Sequence, residues 1–270
     1  MDVYWMKNNM DLAALTEKVR ELAIEAGAFI REERKKFNRS KVEKKHAHDY
    51  VSYVDRESEQ RIVSRLKKLL PEAGFIAEEG SGKLNDETYY WLVDPLDGTT
   101  NFIHNNAPYC VSIALRNREK YLIGVVYEIC RDECYWTYKG SPSYLNGEEI
   151  RVSSVSDPDD AFIALGFPYN VQDYKPMAEK LVDRCYGQVA GLRLLGAAAA
   201  ELCYVAAGRF EARIEAYIGP WDIAAGSLIL MNAGGKVTDF HGGDTYTSGH
   251  QVLASNGSIH DYLLEIIDKQ

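Results

Sequence analysis

Apolar residues recur at spacings of three and four through Leu12, Leu15, Val19, Leu22, Ala26, Phe29 and Ile30, with charges between them. That period lines one face of an α-helix, shaped to lie on something flat. Residues 31–45 are strongly basic and without period, which reads as the frayed end of the helix running into a solvated loop. A second helix is expected from Asp55, which can cap it, with Ile62, Val63, Leu66, Leu69 and Leu70 on one stripe and Pro71 as its stop. Beyond Pro71 the pattern changes to short runs rich in Val, Ile and Tyr, which predict strands at 74–77, 90–93, 109–115, 122–127 and 134–138. Polar turns at 117–120 and 144–147 make part of that sheet antiparallel. From Ala161 the signal alternates, with strands at 162–165, 210–214, 236–239 and 251–254 and helices at 176–185, 196–207, 221–232 and 259–267. Alternation of this kind predicts a second α/β lobe. The expected division is residues 1–150, helices on a mainly antiparallel sheet, and residues 151–270, an α/β lobe that shares an interface with the first.

Composition narrows the class. The chain has 270 residues, 46% of them hydrophobic and 26% charged, enough for a sizeable core without disulfide staples. Lys and Arg number 31 against 40 Asp and Glu, a net charge of −9, so the average field repels phosphate backbones and anionic membrane surfaces. Nucleic acid is not expected as the principal partner. The five cysteines are scattered and form no C-x-x-C pair, which fits reduced thiols. No apolar run approaches the ~20 residues that span a bilayer, and the start of the chain lacks a secretory pattern, so a cytoplasmic location is expected.

The chemistry concentrates in Trp91-Leu92-Val93-Asp94-Pro95-Leu96-Asp97-Gly98-Thr99-Thr100-Asn101-Phe102, a strand that stops at one carboxylate and enters a turn holding another. Pro95 and Gly98 are turn formers that can hold Asp94 and Asp97 on one side of a tight loop. Two acids that close repel unless a cation sits between them, and hard oxygen donors without neighbouring His or Cys favour Mg²⁺ or Mn²⁺ over zinc. Alone, such a segment reads more readily as a plain turn, because these residues are the standard turn formers. Glu78-Glu79 ends the preceding strand, where adjacent strand ends would bring Glu78 or Glu79 beside Asp94. Gly219-Pro220-Trp221-Asp222 opens a helix, where Asp222 also complements the helix N-terminus. Asp55 reads as a cap, a base, or both. No P-loop, dinucleotide-binding, EF-hand or serine-elbow pattern is present, and His46-Ala47-His48-Asp49 lacks companions at ligand spacing.

In combination, Glu78-Glu79, Trp91 to Phe102, Trp221-Asp222 and Gly234-Gly235 resemble the inositol monophosphatase family of Mg²⁺-dependent, lithium-sensitive sugar phosphatases. The resemblance covers most of the chain and implies a mixed α and β fold, a layered α/β/α/β/α sandwich. It implies that Glu78, Asp94, Asp97, Asp222 and the carbonyl of Leu96 ligate two or three Mg²⁺ ions, with Mn²⁺ as a substitute. Asp55 and Thr99, with Glu78, would orient and deprotonate the attacking water, a task suited to a carboxylate–hydroxyl pair. Gly98 and Thr99 would offer backbone N–H groups to the phosphate, Lys44 would approach it from a lid formed by residues 31–48, and Ala199 and Glu215 would contact a polyol ring. The implied substrate is a small phosphorylated polyol or sugar, with myo-inositol 1-phosphate first. Fructose 1,6-bisphosphate, histidinol phosphate and adenosine bisphosphate are alternatives, because Gly219 stands where animal members commonly carry His. The resemblance also implies a homodimer, and, from some bacterial relatives, an alternative role binding RNA or the transcription machinery.

Overall fold

The computed structural model describes residues 10–38, 42–46, 49–82, 86–167, 171–248 and 251–268, with the side chains of 44–46, 49, 50, 171–173 and 268 left out. Along the chain these residues form α1 (Leu12–Lys35), β1 (Glu43–His46), β2 (Asp49–Val51), α2 (Tyr53–Leu69), β3 (Gly74–Ala77), β4 (Tyr89–Asp97) and α3 (Thr99–His104). There follow β5 (Cys110–Asn117), β6 (Tyr121–Glu128), β7 (Glu133–Tyr138), β8 (Ser143–Leu145), β9 (Glu148–Ile150), β10 (Phe162–Gly166), α4 (Val171–Cys185), β11 (Gly191–Arg193) and α5 (Ala198–Ala206). The remainder is β12 (Ala212–Ala216), α6 (Pro220–Asn232), β13 (Lys236–Thr238), β14 (Gln251–Ser255) and α7 (His260–Asp268).

Strands β3 to β9 form a seven-stranded sheet in sequence order, parallel only between β3 and β4. A five-stranded sheet of order β11-β10-β12-β14-β13 is parallel across its first three strands and antiparallel beyond. Helices α1 and α2 cover one face of the larger sheet; α5 and α6 lie between the two sheets; α4 and α7 close the outer face of the smaller one. This is the expected α/β/α/β/α sandwich. The middle layer is the most apolar part of the chain: every residue of α5 is buried, and so is α6 from Ile223 to Leu230. A helix apolar all round belongs between two sheets, and each large aliphatic side chain buried there contributes roughly 1.5–3 kcal/mol. Although α6 falls between two strands of the smaller sheet in sequence, β12 and β13, it packs on β4, β5 and β6 of the larger one. Ser112 and Ser143 fasten it there, their hydroxyls donating to the carbonyls of Trp221 and Ile229 at 3.1 and 2.6 Å. Among the described residues no helix is long and apolar enough to cross a membrane.

Three sequence readings are corrected. The helix α1 does not fray at Arg31 but continues to Lys35, because Arg31 donates to the Tyr127 hydroxyl and the Ile129 carbonyl, while Lys35 pairs with Glu32. Asp55 is not the cap of α2. Ser52 caps it, accepting from Val54 N at 3.1 Å, and Asp55, three residues on, accepts in return from Ser52 N at 2.9 Å, a capping box. The segment from Asp94 to Asp97 is not a tight turn either. It belongs to β4, whose pairing with β5 shifts register between those two residues, a bulge that re-aims side chains at a strand end.

Candidate metal centre and phosphate pocket

The parallel register of β3 and β4 sets Ala77 beside Val93, and Glu78 N donates to Val93 O at 3.1 Å. Glu78 therefore leaves its strand next to Asp94, as the sequence expected; its neighbour Glu79 is held elsewhere, its N–H donating to the buried Glu59 at 2.7 Å. The bulge in β4 keeps Asp94 and Asp97 on one side. Asp94 Oδ1 accepts from Leu96 N at 2.9 Å, and Ser58 donates to the Pro95 carbonyl at 3.3 Å. Gly98 follows with φ of 87°, and a Cβ there would stand 2.9 Å from the Pro108 carbonyl. Glycine is thus required twice over, for the left-handed backbone and for the close approach. Asp222 arrives from the middle layer as the third residue of α6, accepting from Gly219 N at 2.8 Å.

Together Glu78, Asp94, Asp97 and Asp222 line a cavity of about 480 Å³, with Thr99 and Glu215 on the same walls. Asp94 and Asp97 are buried; Glu78 and Asp222 are half-buried. Burial holds Asp94 well above the usual carboxylate range, reinforced by the charges of Glu78, Asp97 and Asp222. Asp222 is raised by burial and by Asp97 and Glu78, and it is hydrogen-bonded to Asp94. Asp97 is pushed up to about 6 by burial, against which Ala199 N, Cys110, Arg213 and Ala198 N work to lower it. Its two oxygens accept from Ala198 N at 3.1 Å and Ala199 N at 2.7 Å.

Beside this cluster the Thr99 hydroxyl lies 2.8 Å from Asp55 Oδ1 and 3.1 Å from the Leu96 carbonyl. Asp55 has no exposed surface, and burial raises it despite the hydrogen bonds from Ser52 and Thr99. The donor set is all oxygen. Its mutual repulsion would be relieved by a hard divalent cation. The residues thus fit Mg²⁺ or Mn²⁺, although among the described residues no three His, Cys, Asp or Glu side chains stand ready in a ligating arrangement.

Of the other expected residues, Glu215 faces the cavity, but Ala199 does not: it is fully buried behind Ala198, its N–H spent on Asp97. Lys44 lies in β1 with its side chain outside the described residues, as does much of the supposed lid. The sequence reading passed over Glu59, Asn101, Glu201 and Arg213. Asn101 Nδ2 donates to the carbonyls of Pro108 at 2.8 Å and Leu195 at 2.7 Å, tying α3 to the loop before α5. Glu201 is the one charge inside the Ala-rich run of α5, and an ion in an apolar helix is the signal that could have flagged it.

A five-layered sandwich with a carboxylate-lined pocket at the strand ends defines a class of mixed α and β proteins with an acidic cation-type site. Within it the chain belongs to the inositol monophosphatase family, which matches residues 11–270. It is 39% identical to the Nus factor SuhB of Pasteurella multocida over 225 residues, 82% of this chain and 84% of that one. It is 36% identical to an inositol-1-monophosphatase of Mesorhizobium japonicum over 261 residues, 96% of this chain and 98% of that one. Among solved structures, the extragenic suppressor protein suhB of Bartonella henselae superposes with a TM-score of 0.88 at 35% identity, covering 92% of this chain and 96% of that one.

Proposed function

We propose that this protein is a Mg²⁺-dependent phosphomonoesterase acting on a small polyol or sugar monophosphate, with myo-inositol 1-phosphate as the leading substrate. The observation that carries the reading is the convergence of Glu78, Asp94, Asp97 and Asp222 in one cavity, beside the Thr99–Asp55 pair. Those four acids and the Leu96 carbonyl would hold the cations, which supply charge neutralisation on the phosphate and a more acidic water. The chain's own residues do the rest. Thr99, its hydroxyl fixed by Asp55, orients the attacking water and passes its proton to that carboxylate, which is buried and therefore a better base than an exposed one. Gly98 and Thr99 line the phosphate end of the cavity, and Glu215 accepts from a polyol hydroxyl. Phosphoryl transfer needs chiefly positioning and electrostatic stabilisation, so no enzyme nucleophile is required.

A second reading, a protein that binds RNA or transcription machinery, draws on relatives named Nus factor SuhB. Against it, several cations of the basic run are already engaged at the end of α1: Arg31 with Tyr127, Arg34 with Asn105, Lys35 with Glu32 and Lys36 with Glu33. The deciding experiment measures phosphate release from inositol 1-phosphate, fructose 1,6-bisphosphate, histidinol phosphate and adenosine 3',5'-bisphosphate, with Mg²⁺ and with EDTA. Mg²⁺-dependent turnover that Asp97→Asn abolishes is expected. Salt-sensitive RNA binding with no turnover of any substrate would replace the first reading with the second.

A further inference from the structure

Behind the pocket wall three charged side chains form a buried chain. Arg213 and Glu215 are two apart on β12 and so share one face of the sheet; Glu201 stands in the first turn of α5. Arg213 Nε donates to Glu201 Oε2 at 2.8 Å, and Arg213 Nη2 donates to Glu215 Oε2. Glu201 gives its other oxygen to the N–H groups of Leu195 and Gly196, at 3.0 and 3.1 Å, on the loop that borders the cavity. Side-chain exposure is 1% for both Arg213 and Glu201 but 15% for Glu215.

Stability does not explain this arrangement. Taking a guanidinium and two carboxylates out of water costs several kcal/mol per ion, and an apolar trio of similar volume does as well or better. Among the described residues Arg213 Nη1 moreover has no acceptor, a further cost. What the arrangement does achieve is one fixed rotamer for Glu215. Its Oε2 is held by Arg213, and room for it exists because its partner across the parallel pair is Gly166, where a Cβ would stand 2.2 Å from Glu215 Oε2. The other oxygen, Oε1, is engaged by no described residue, and Glu215 borders the cavity.

We infer that Arg213 is a positioning residue for substrate selection: it clamps Glu215 so that Oε1 is presented to the cavity as a fixed acceptor for a substrate hydroxyl. The inference rests on the phosphatase reading above and specifies its substrate. Arg213 is the one cation among the described residues that line the cavity, and it is spent on Glu201 and Glu215, so this wall offers a hydroxyl donor the Glu215 carboxylate and offers a second phosphate no free cation. The structure thereby points to a monophosphorylated polyol rather than a bisphosphate.

The test compares kcat and KM for inositol 1-phosphate and for 4-nitrophenyl phosphate, which has no hydroxyl to read, in wild type, Arg213→Lys, Glu215→Gln and the double variant. Arg213→Lys keeps the charge and loses the fork that reaches both acids. It is expected to raise KM for inositol 1-phosphate by roughly tenfold to a hundredfold, the worth of one hydrogen bond to a charged group, with the aryl phosphate changed less than twofold. The double variant is expected to be no worse than Glu215→Gln alone, because one residue acts through the other. Equal losses on both substrates, or additive losses in the double variant, would overturn the inference. Should Arg213→Lys not fold, Arg213→Gln with Glu201→Gln removes both charges of the deeper bond and is read the same way. A wild type that releases phosphate from neither substrate overturns the phosphatase reading and this inference with it. An active wild type with an unchanged Arg213→Lys overturns only the inference.

Discussion

Asp94 and Asp239 are both buried carboxylates at the ends of strands, and they have been given opposite company. Asp239, just past β13, accepts from His241 N at 2.8 Å, Gly243 N at 2.9 Å, Thr245 N at 3.2 Å and the Thr245 hydroxyl. Burial works to raise it, but Thr245 and those backbone donors win and hold it at about 2. Asp94 receives one backbone donor, Leu96 N, and otherwise meets three acids, so burial and like charge drive it upward together. A carboxylate whose donors come from its own chain is complete. One that is buried beside its own kind is complementary to something the chain does not supply, and that difference separates a structural acid from a functional one more reliably than burial does.

The same isosteric change at each position would break or sharpen the contrast. Asp94→Asn is expected to cut Mg²⁺-dependent phosphate release by roughly a thousandfold or more, a loss of site electrostatics, while the unfolding midpoint without metal stays level or rises. Asp239→Asn is expected to leave kcat within a few-fold but to cost about 2–4 kcal/mol, since an amide cannot accept from four donors. For a chain of this size that lowers the midpoint by roughly 5–12 °C in calorimetry. A stable Asp239→Asn beside an unstable Asp94→Asn would invert the argument.

Titration gives the next test. Asp97 at about 6 and Glu201 at about 7 are both raised by burial. An acid raised in the folded state contributes stability that is present below its unfolded pKa and lost as pH rises through the folded one. In EDTA the midpoint should therefore fall between pH 5 and pH 8. Asp239, depressed, contributes stability that is present above the ordinary carboxylate range and lost only as pH drops towards 2. Added Mg²⁺ competes with the protons of the cluster, so the midpoint gain it gives should be larger at pH 8 than at pH 5 by scanning fluorimetry. A gain independent of pH would separate the cation from the acids. The smallest effect is expected at Thr99. Thr99→Ser keeps the hydroxyl and should stay within several-fold of wild-type kcat, whereas Thr99→Val should lose on the order of a hundredfold.

Much of this was legible in the sequence where a residue's role is local or set by strand order. Glu78 and Asp94 could be paired because parallel neighbours end together, and Trp221-Asp222 could be placed at a helix start because Pro220 marks one. The rest depended on competition between neighbours that periodicity does not register. Ser52 and Asp55 are both good capping residues three apart, and only the fold decides which is the cap and which reaches back. Helix α3 and strand β11, of six and three residues, are too short to carry a period. Ala198 and Ala199 are alike in chemistry, so which one faces the cavity is fixed by the rotation of α5 against Asp97. The pairing of Arg213 with Glu201 leaves no mark in the sequence, because the two stand twelve residues apart on successive elements.

The fastening of α6 to the larger sheet also governs the order in which the molecule can be made. The sheet from β3 to β9 is fully encoded by residue 150, yet the helix that covers its inner face begins at Pro220. A nascent chain emerging amino end first holds that face bare while some seventy further residues are added, and the last of the four pocket acids arrives only with the helix. Such a site cannot template early folding by capturing a cation. It is assembled last, when long-range contacts close across the whole chain, so a protein stalled or cut before α6 is expected to offer chaperones and proteases an apolar sheet rather than a smaller working enzyme.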